Sequence, residues 1–176
     1  MLPIVSVFFF ALAGFVAYFF LSGFIWGAGY YPTSKKEIDS VARLLELNEN
    51  SHFYDLGSGY GRMIIAMSER YNAHSIGVEA DPVKYWWTKQ AIKRKRLGEK
   101  TQVLHSNFLN VDLSNADAIF VFLTKETNIM EKLYSKIQKE CREGTKIVSY
   151  VHQFNGLTPA KQDGQLFLYL VHYSHA

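Results

Sequence analysis

HFYDLGSGYGRMIIA, residues 52–66, is the stretch whose reading decides the fold: an apolar run, then Asp55, then glycines at 57, 59 and 61, then a helical apolar pattern entered at Arg62. A strand that ends in glycines and passes straight into a helix lets the backbone turn sharply and brings helix N–H groups toward whatever the turn holds. The spacing is not the G-x-G-x-x-G of dinucleotide binding, because the third glycine comes one residue early and an acid stands before the first.

Working outward, strand and helix alternate. Pro32, Thr33 and Ser34 break the chain and offer an N-cap, after which SKKEIDSVARLLEL places Ile38, Val41, Leu44 and Leu45 on one helical face. After the glycine loop and its helix, HSIGVEA reads as a buried strand, and DPVKYWWTKQAIKRKRLG as a helix entered by Asp-Pro and left by Gly98. TQVLHSN, DAIFVFLT and TKIVSYV continue the strand series, with NIMEKLYSKIQKECREG as the helix between the last two. This alternation predicts an α/β fold with a mostly parallel, Rossmann-like sheet covered on both faces. QLFLYLVHY follows the turn-rich NGLTPAKQDG with no helix between, which predicts an antiparallel C-terminal edge strand.

The charge is distributed unevenly over the 176 residues: the 19 Lys and Arg and the 16 Asp and Glu all lie at or beyond Lys35. Leu2–Trp26 reads LPIVSVFFFALAGFVAYFFLSGFIW, long enough at about 1.5 Å per residue to span roughly 30 Å of hydrocarbon. One N-terminal transmembrane helix is therefore expected, with residues 1–29 as anchor and 30–176 as the folded domain. A secretory signal peptide fits less well, since it wants a basic n-region and a shorter apolar stretch. Lys35 and Lys36 follow the span and nothing basic precedes it, so the positive-inside rule places the C-terminal domain in the cytoplasm and residues 2–26 in lipid.

Cys141 is the only cysteine, which excludes an intramolecular disulfide and a Cys-based zinc site. No histidine falls in an H-E-x-x-H or comparable set, and no metal is expected. A net charge of +3 is too small a basic field for nucleic acid to be an expected partner. Lys93-Arg94-Lys95-Arg96 reads first as a solvated helix end favoured by the macrodipole. Trp86 and Trp87 are adjacent on a helix and so cannot both face the core.

Asp-x-Gly-x-Gly-x-Gly at 55–61 resembles motif I of the class I S-adenosylmethionine-dependent methyltransferases, whose ligand brings an ammonium and a sulfonium. Glu79 ends the next strand, eighteen residues past Gly61, at the distance where an acid accepts ribose hydroxyls. Asn107 and Phe108, after the third strand, match the place where that family holds the adenine amine and packs its ring. After the fourth strand, Phe120-Val-Phe122-Leu123 replaces the Asn/Asp-Pro-Pro-aromatic turn of base-amine methylating enzymes.

A narrower resemblance covers about residues 28 to 155. Gly29-Tyr-Tyr-Pro32-Thr33, DLGSGYGR, GVEADP, NFLNVDL, VFL, the spaced Leu133 and Lys136, and EGTKIVS are similar to the archaeal broad-specificity protein-lysine methyltransferases and their membrane-anchored mitochondrial relatives. That resemblance implies S-adenosylmethionine as cofactor, held through Tyr31, Thr33, Asp55, Gly57, Ser58, Gly59, Gly61, Glu79, Ala80, Asn107, Phe108 and Phe122. It implies a protein partner with an accessible lysine. The chain departs from the family at Tyr60, which replaces a usual Asp, and after Ser149, where VHQFNGL replaces a Phe-x-x-Pro-x-Trp-like stretch. No dedicated base is required: burial among aromatics promotes loss of the lysine proton, and Phe122, Tyr31, Tyr150 and Phe154 are candidates for that surround. A small-molecule or lipid methyltransferase of the same fold, or a non-catalytic scaffold, remain the alternatives.

Overall fold

The computed structural model of the chain describes residues 6–10, 12–14, 16–18, 33–123 and 127–172. The chain falls into two compact units, Met1–Tyr31 and Pro32–Ala176. In the first, the described helical positions run between Ser6 and Tyr18. Among the described residues no helix is long and apolar enough to cross a membrane. The expectation of a single-pass anchor over Leu2–Trp26, of lipid contact through residues 2–26 and of a cytoplasmic domain behind it is corrected accordingly. The rest of that stretch lies outside the described residues.

The second unit alternates α and β in the order α1 (Lys35–Leu45), β1 (His52–Leu56), α2 (Arg62–Tyr71), β2 (His74–Glu79), α3 (Pro82–Lys95), β3 (Thr101–His105), β4 (Ala118–Val121), α4 (Thr127–Glu140), β5 (Lys146–Tyr150), β6 (Lys161–Asp163) and β7 (Leu166–Leu170). The seven strands form one sheet in the order β3-β2-β1-β4-β5-β7-β6. The first five are parallel; β7 runs antiparallel to β5, and β6 antiparallel to β7. Strand order reverses between β1 and β4, and a crevice at the carboxyl ends of the strands beside such a switch point is where open α/β sheets take ligands.

Local chemistry explains the element ends. Ser34 caps α1 in a capping box, its hydroxyl accepting from the Glu37 N–H while the Glu37 carboxylate accepts from the Ser34 N–H. Asp81 caps α3 by accepting from the N–H groups of Val83 and Lys84, with Pro82 opening the helix. That helix ends at Lys95, before the expected Gly98, because Arg96 adopts the left-handed conformation and its N–H bonds back to Ile92 and Lys93.

Two apolar layers flank the sheet. Leu56, Val121, Ile147, Leu133 and Ile137 belong to the core beneath α4; Phe53, Phe120, Val148, Val41 and Ile64 belong to the core on the other face, with α1 and α2. The sequence predicts one antiparallel strand, whereas the structure adds β6 outside it, inside the segment whose composition reads as turn. Lys161, Gln162 and Asp163 are all exposed, so no alternation betrays them, and charged residues on a short edge strand also deter pairing with other chains.

Packing is tight where β2 passes under the glycine loop. A Cβ on Gly77 would stand 2.7 Å from Ser58 Oγ and 2.8 Å from Ile64 Cδ1, closer than a side chain tolerates. Gly77→Ala is expected to lower stability in urea unfolding by about 1–3 kcal/mol, the usual range for overpacking. Ile64→Val in the same background should recover part of it; an undiminished midpoint for the single variant would contradict this packing.

Candidate functional site

The carboxyl ends of β1 and β2 build the site. As β1 leaves the sheet at Leu56, Gly57 and Ser58 donate their N–H groups to Val78 O at 2.9 and 3.0 Å, and Gly61 donates to Ser58 O at 2.9 Å. Gly59 donates to Glu79 Oε2 at 2.7 Å, and the other oxygen, Oε1, accepts from Asp81 N–H at 2.8 Å. The loop is thus fastened internally, and the carboxylate that ends β2 does much of the fastening. Thr88 of α3, fully buried, donates its hydroxyl to Gly59 O at 3.0 Å. Gly61 has φ +74 and a Cβ there would lie 2.4 Å from Thr88 Cγ2, so only glycine lets loop and helix meet this closely.

Asp55 is buried within β1, 4% exposed. Burial, and then the neighbouring Glu79 carboxyl, push Asp55 up to about 8. Burial also raises Glu79, against the opposing pull of the Asp81 and Gly59 N–H groups and of Lys84. Two buried acids side by side, both held toward the neutral form, are a site that lacks a cation. A Cβ on Gly59 would meet nothing within 4 Å, so the cradle is open above that residue. Acids facing an open cradle fit an ammonium- and sulfonium-bearing ligand.

The remaining expected contacts are placed as follows. Ser58 is buried and its hydroxyl has no hydrogen-bond partner among the described residues. Ala80 O lies 3.1 Å from His105 Nε2, and the His105 ring stacks on Tyr85 with centroids 5.0 Å apart. Asn107 is exposed; its Oδ1 accepts from Leu109 N–H at 2.9 Å and starts a short 3-10 turn, Phe108–Asn110, whose half-buried Phe108 packs on the α4 core. Phe122 follows β4 and packs against Tyr150 at the end of β5, ring centroids 4.8 Å apart. Thr33 is half-buried just before α1. Tyr31 lies outside the described residues.

Phe154 departs from its expected place. It is 3% exposed and packs on Tyr169 and Tyr134 in the α4 core, away from Phe122 and Tyr150. The adjacency of Trp86 and Trp87 predicts that one at most faces the core; in the structure both are exposed, at 53% and 46%. Sequence reasoning missed Thr88 and Gly77. Neither had a local signal, since each matters only through a neighbour brought by folding.

Residues 55–161 match the ANTKMT methyltransferase domain family. The chain is 28% identical over 151 residues to a protein-lysine N-methyltransferase of Saccharolobus islandicus, spanning 81% of this chain and 92% of that one. It is 27% identical over 126 residues to a Caenorhabditis elegans lysine N-methyltransferase of an ATP synthase component, covering 68% of this chain and 64% of that protein's length. In fold it resembles an RNA methyltransferase from Salinibacter ruber solved with S-adenosyl-L-homocysteine: TM-score 0.75, 23% identity, 80% of this chain and 94% of that one.

Asp55 makes stability depend on pH. Its folded value lies above the unfolded one near 3.8, so its contribution is fully present below about pH 4 and is lost as pH rises through about 8. Asp55→Asn has no proton to lose, so its melting temperature without ligand should gain on the wild type between pH 4 and 8. A difference that stays flat across this window would show that Asp55 is not desolvated.

Proposed function

Because the chain belongs to the ANTKMT methyltransferase domain family, we propose that it methylates lysine side chains of a protein substrate. It is a class I S-adenosylmethionine-dependent methyltransferase, and S-adenosylmethionine is its cofactor. The observation that carries the lysine reading is the similarity to the Saccharolobus islandicus protein-lysine N-methyltransferase over nearly the whole of that protein.

On this reading the Asp55 carboxylate balances the positive charge of the cofactor. Glu79 keeps lone pairs beyond the two it gives to backbone N–H groups, and these accept from the ribose hydroxyls. Asn107 and Phe108 hold the adenine beside Ala80, and Gly57, Ser58, Gly59 and Gly61 shape the floor. Thr33 joins these cofactor contacts from the entry segment before α1.

When bound, S-adenosylmethionine supplies a methyl group on a cationic sulfur, open to in-line displacement by a neutral amine. The chain's part is alignment and the exclusion of water. Phe122 and Tyr150 form a half-buried aromatic wall at the ends of β4 and β5, next to the Gly57 turn. Such a wall orients an entering lysine through its ring faces, and the amine sheds its proton to solvent before it meets the methyl group.

The test is incubation of the purified protein with methyl-labelled cofactor and cell-extract proteins, followed by mass spectrometry of the labelled residues. Label on lysine is expected; label confined to lipid, small molecules or nucleic acid would overturn the reading. In calorimetric titration, Asp55→Asn should weaken cofactor binding by at least about tenfold, the low end for breaking a buried charge pair. Wild-type binding at pH 7 should release a proton, seen as a heat that varies with the ionisation enthalpy of the buffer.

A further inference from the structure

We propose that the Glu37 carboxylate, with the rings of Phe122 and Tyr150, is the docking point for the ammonium group of the acceptor lysine. The proposal rests on the protein-lysine reading above and names the residues that recognise its substrate.

Four observations converge. First, Glu37 lacks a cation. Asp39, Glu46, Glu69 and Glu140 each have a Lys or Arg partner, whereas Glu37, half-buried, has none among the described residues. Its oxygens are oriented by neutral donors, Oε1 by the Tyr150 hydroxyl and Oε2 by the Ser34 N–H at 2.5 Å. Burial alone would raise Glu37, but the bonds from Tyr150 and Ser34 outweigh it and hold the group below the usual carboxylate range, so it stays ionised. Each oxygen keeps a lone pair for a further donor.

Second, the carboxylate stands at the hydroxyl end of an aromatic pair. Tyr150 both bonds to Glu37 and packs on Phe122. A carboxylate next to two rings is the chemistry that holds an alkylammonium, through charge on one side and ring quadrupoles on the other.

Third, the group lies at the right edge of the sheet. Asp55 pairs in register with Phe120, and Phe120 and Val148 share the α1-side core. Side chains alternate along a strand, so Phe122 and Tyr150 emerge on that same face at the carboxyl ends, next to the cradle. A lysine reaching Glu37 therefore approaches along the side where Asp55 awaits the cofactor.

Fourth, the chain accepts strain to hold Tyr150 there. Val151 has φ +69, unusual for a β-branched residue, and His152 N–H bonds back to Tyr150 O at 2.9 Å, closing a three-residue turn. Val151 N–H is held by Gln165 O at 2.8 Å, and the Ser149 hydroxyl donates to His152 O. Strained backbone of this kind persists where surrounding bonds over-determine it, and it collects at ligand sites.

The rival account is a latch, with Tyr150 and Glu37 merely pinning α1 to the sheet, and two variants separate the readings. Glu37→Gln removes the charge, yet glutamine serves in a capping box and still accepts from Tyr150. Tyr150→Phe breaks the hydroxyl bond but leaves both the ring and the charge. The probe is Nα-acetyl-L-lysine amide, added to protein saturated with S-adenosylhomocysteine and followed by NMR of the aromatic rings. Its neutral counterpart, Nα-acetyl-L-norleucine amide, is the control.

Saturable shifts at Phe122 and Tyr150 are expected with the lysine probe alone. Affinity should fall at least fivefold in Glu37→Gln, stay within twofold in Tyr150→Phe, and leave cofactor affinity unchanged in both. A latch reverses that order, and the reversal would overturn the proposal, as would shifts equal for both probes. If the wild type labels protein lysines while Glu37→Gln binds the probe normally, this docking point is wrong and the lysine reading stands. If no protein lysine is labelled, the lysine reading itself fails.

Discussion

The site depends on one buried carboxylate. Glu79 takes an N–H from Gly59 on one oxygen and from Asp81 on the other, and so joins the glycine loop to the start of α3. Asp81 then caps that helix, and Thr88, two turns along it, returns to the loop through Gly59 O. The result is a closed circuit of loop, strand end and helix, made mostly of short hydrogen bonds in a dry setting. Bonds in such a low-dielectric setting are electrostatically stronger than in water, so loss of Glu79 is expected to reach both the ligand floor and the helix beside it.

Holding a loop with an acid has an electrostatic consequence. A second acid, Asp55, lies close enough to Glu79 that each ionised form works against the other, and burial adds to the opposition. Without a cation Asp55 keeps its proton up to about pH 8, and Glu79 is raised as well by its burial. The site is therefore destabilised in its charged state and relieved by a cationic ligand, a gain in binding obtained at some loss of stability. This is the same logic that places strained or underpaired groups at sites and well-paired ones elsewhere. The ion pairs at Arg70–Asp39, Lys95–Glu69 and Arg142–Asp117, all partly exposed, show the contrast.

How much could be read in advance follows the same division. The glycine loop, the acid before it and the acid ending β2 are local in sequence, and their spacing carries the chemistry. The βα alternation and the antiparallel return of β7 were legible because apolar period and turn residues are also local. What escaped was relational. Gly77 matters through Ser58 and Ile64, Thr88 through Gly59, and Glu37 through Tyr150, 113 residues away in sequence. The N-terminal stretch stands apart: its hydropathy over Leu2–Trp26 predicts a span, whereas among the described residues no helix is long and apolar enough to cross a membrane.

Register is what brings these distant groups together. Asp55 pairs with Phe120, and Val121 with Ser149, so Asp55, Phe120 and Val148 fall on one face and Leu56, Val121 and Ser149 on the other. A slip of one residue in β4 or β5 would turn Phe122 or Tyr150 toward α4 and leave Glu37 without its hydroxyl donor. Such a slip is blocked because it would also carry Ile119 and Ile147, both buried beneath α4, to the wrong face. The alternation that secures the core thus also sets acid, rings and second acid in a row along one edge. Core packing and substrate alignment are in this sense one constraint, enforced by the same pleat.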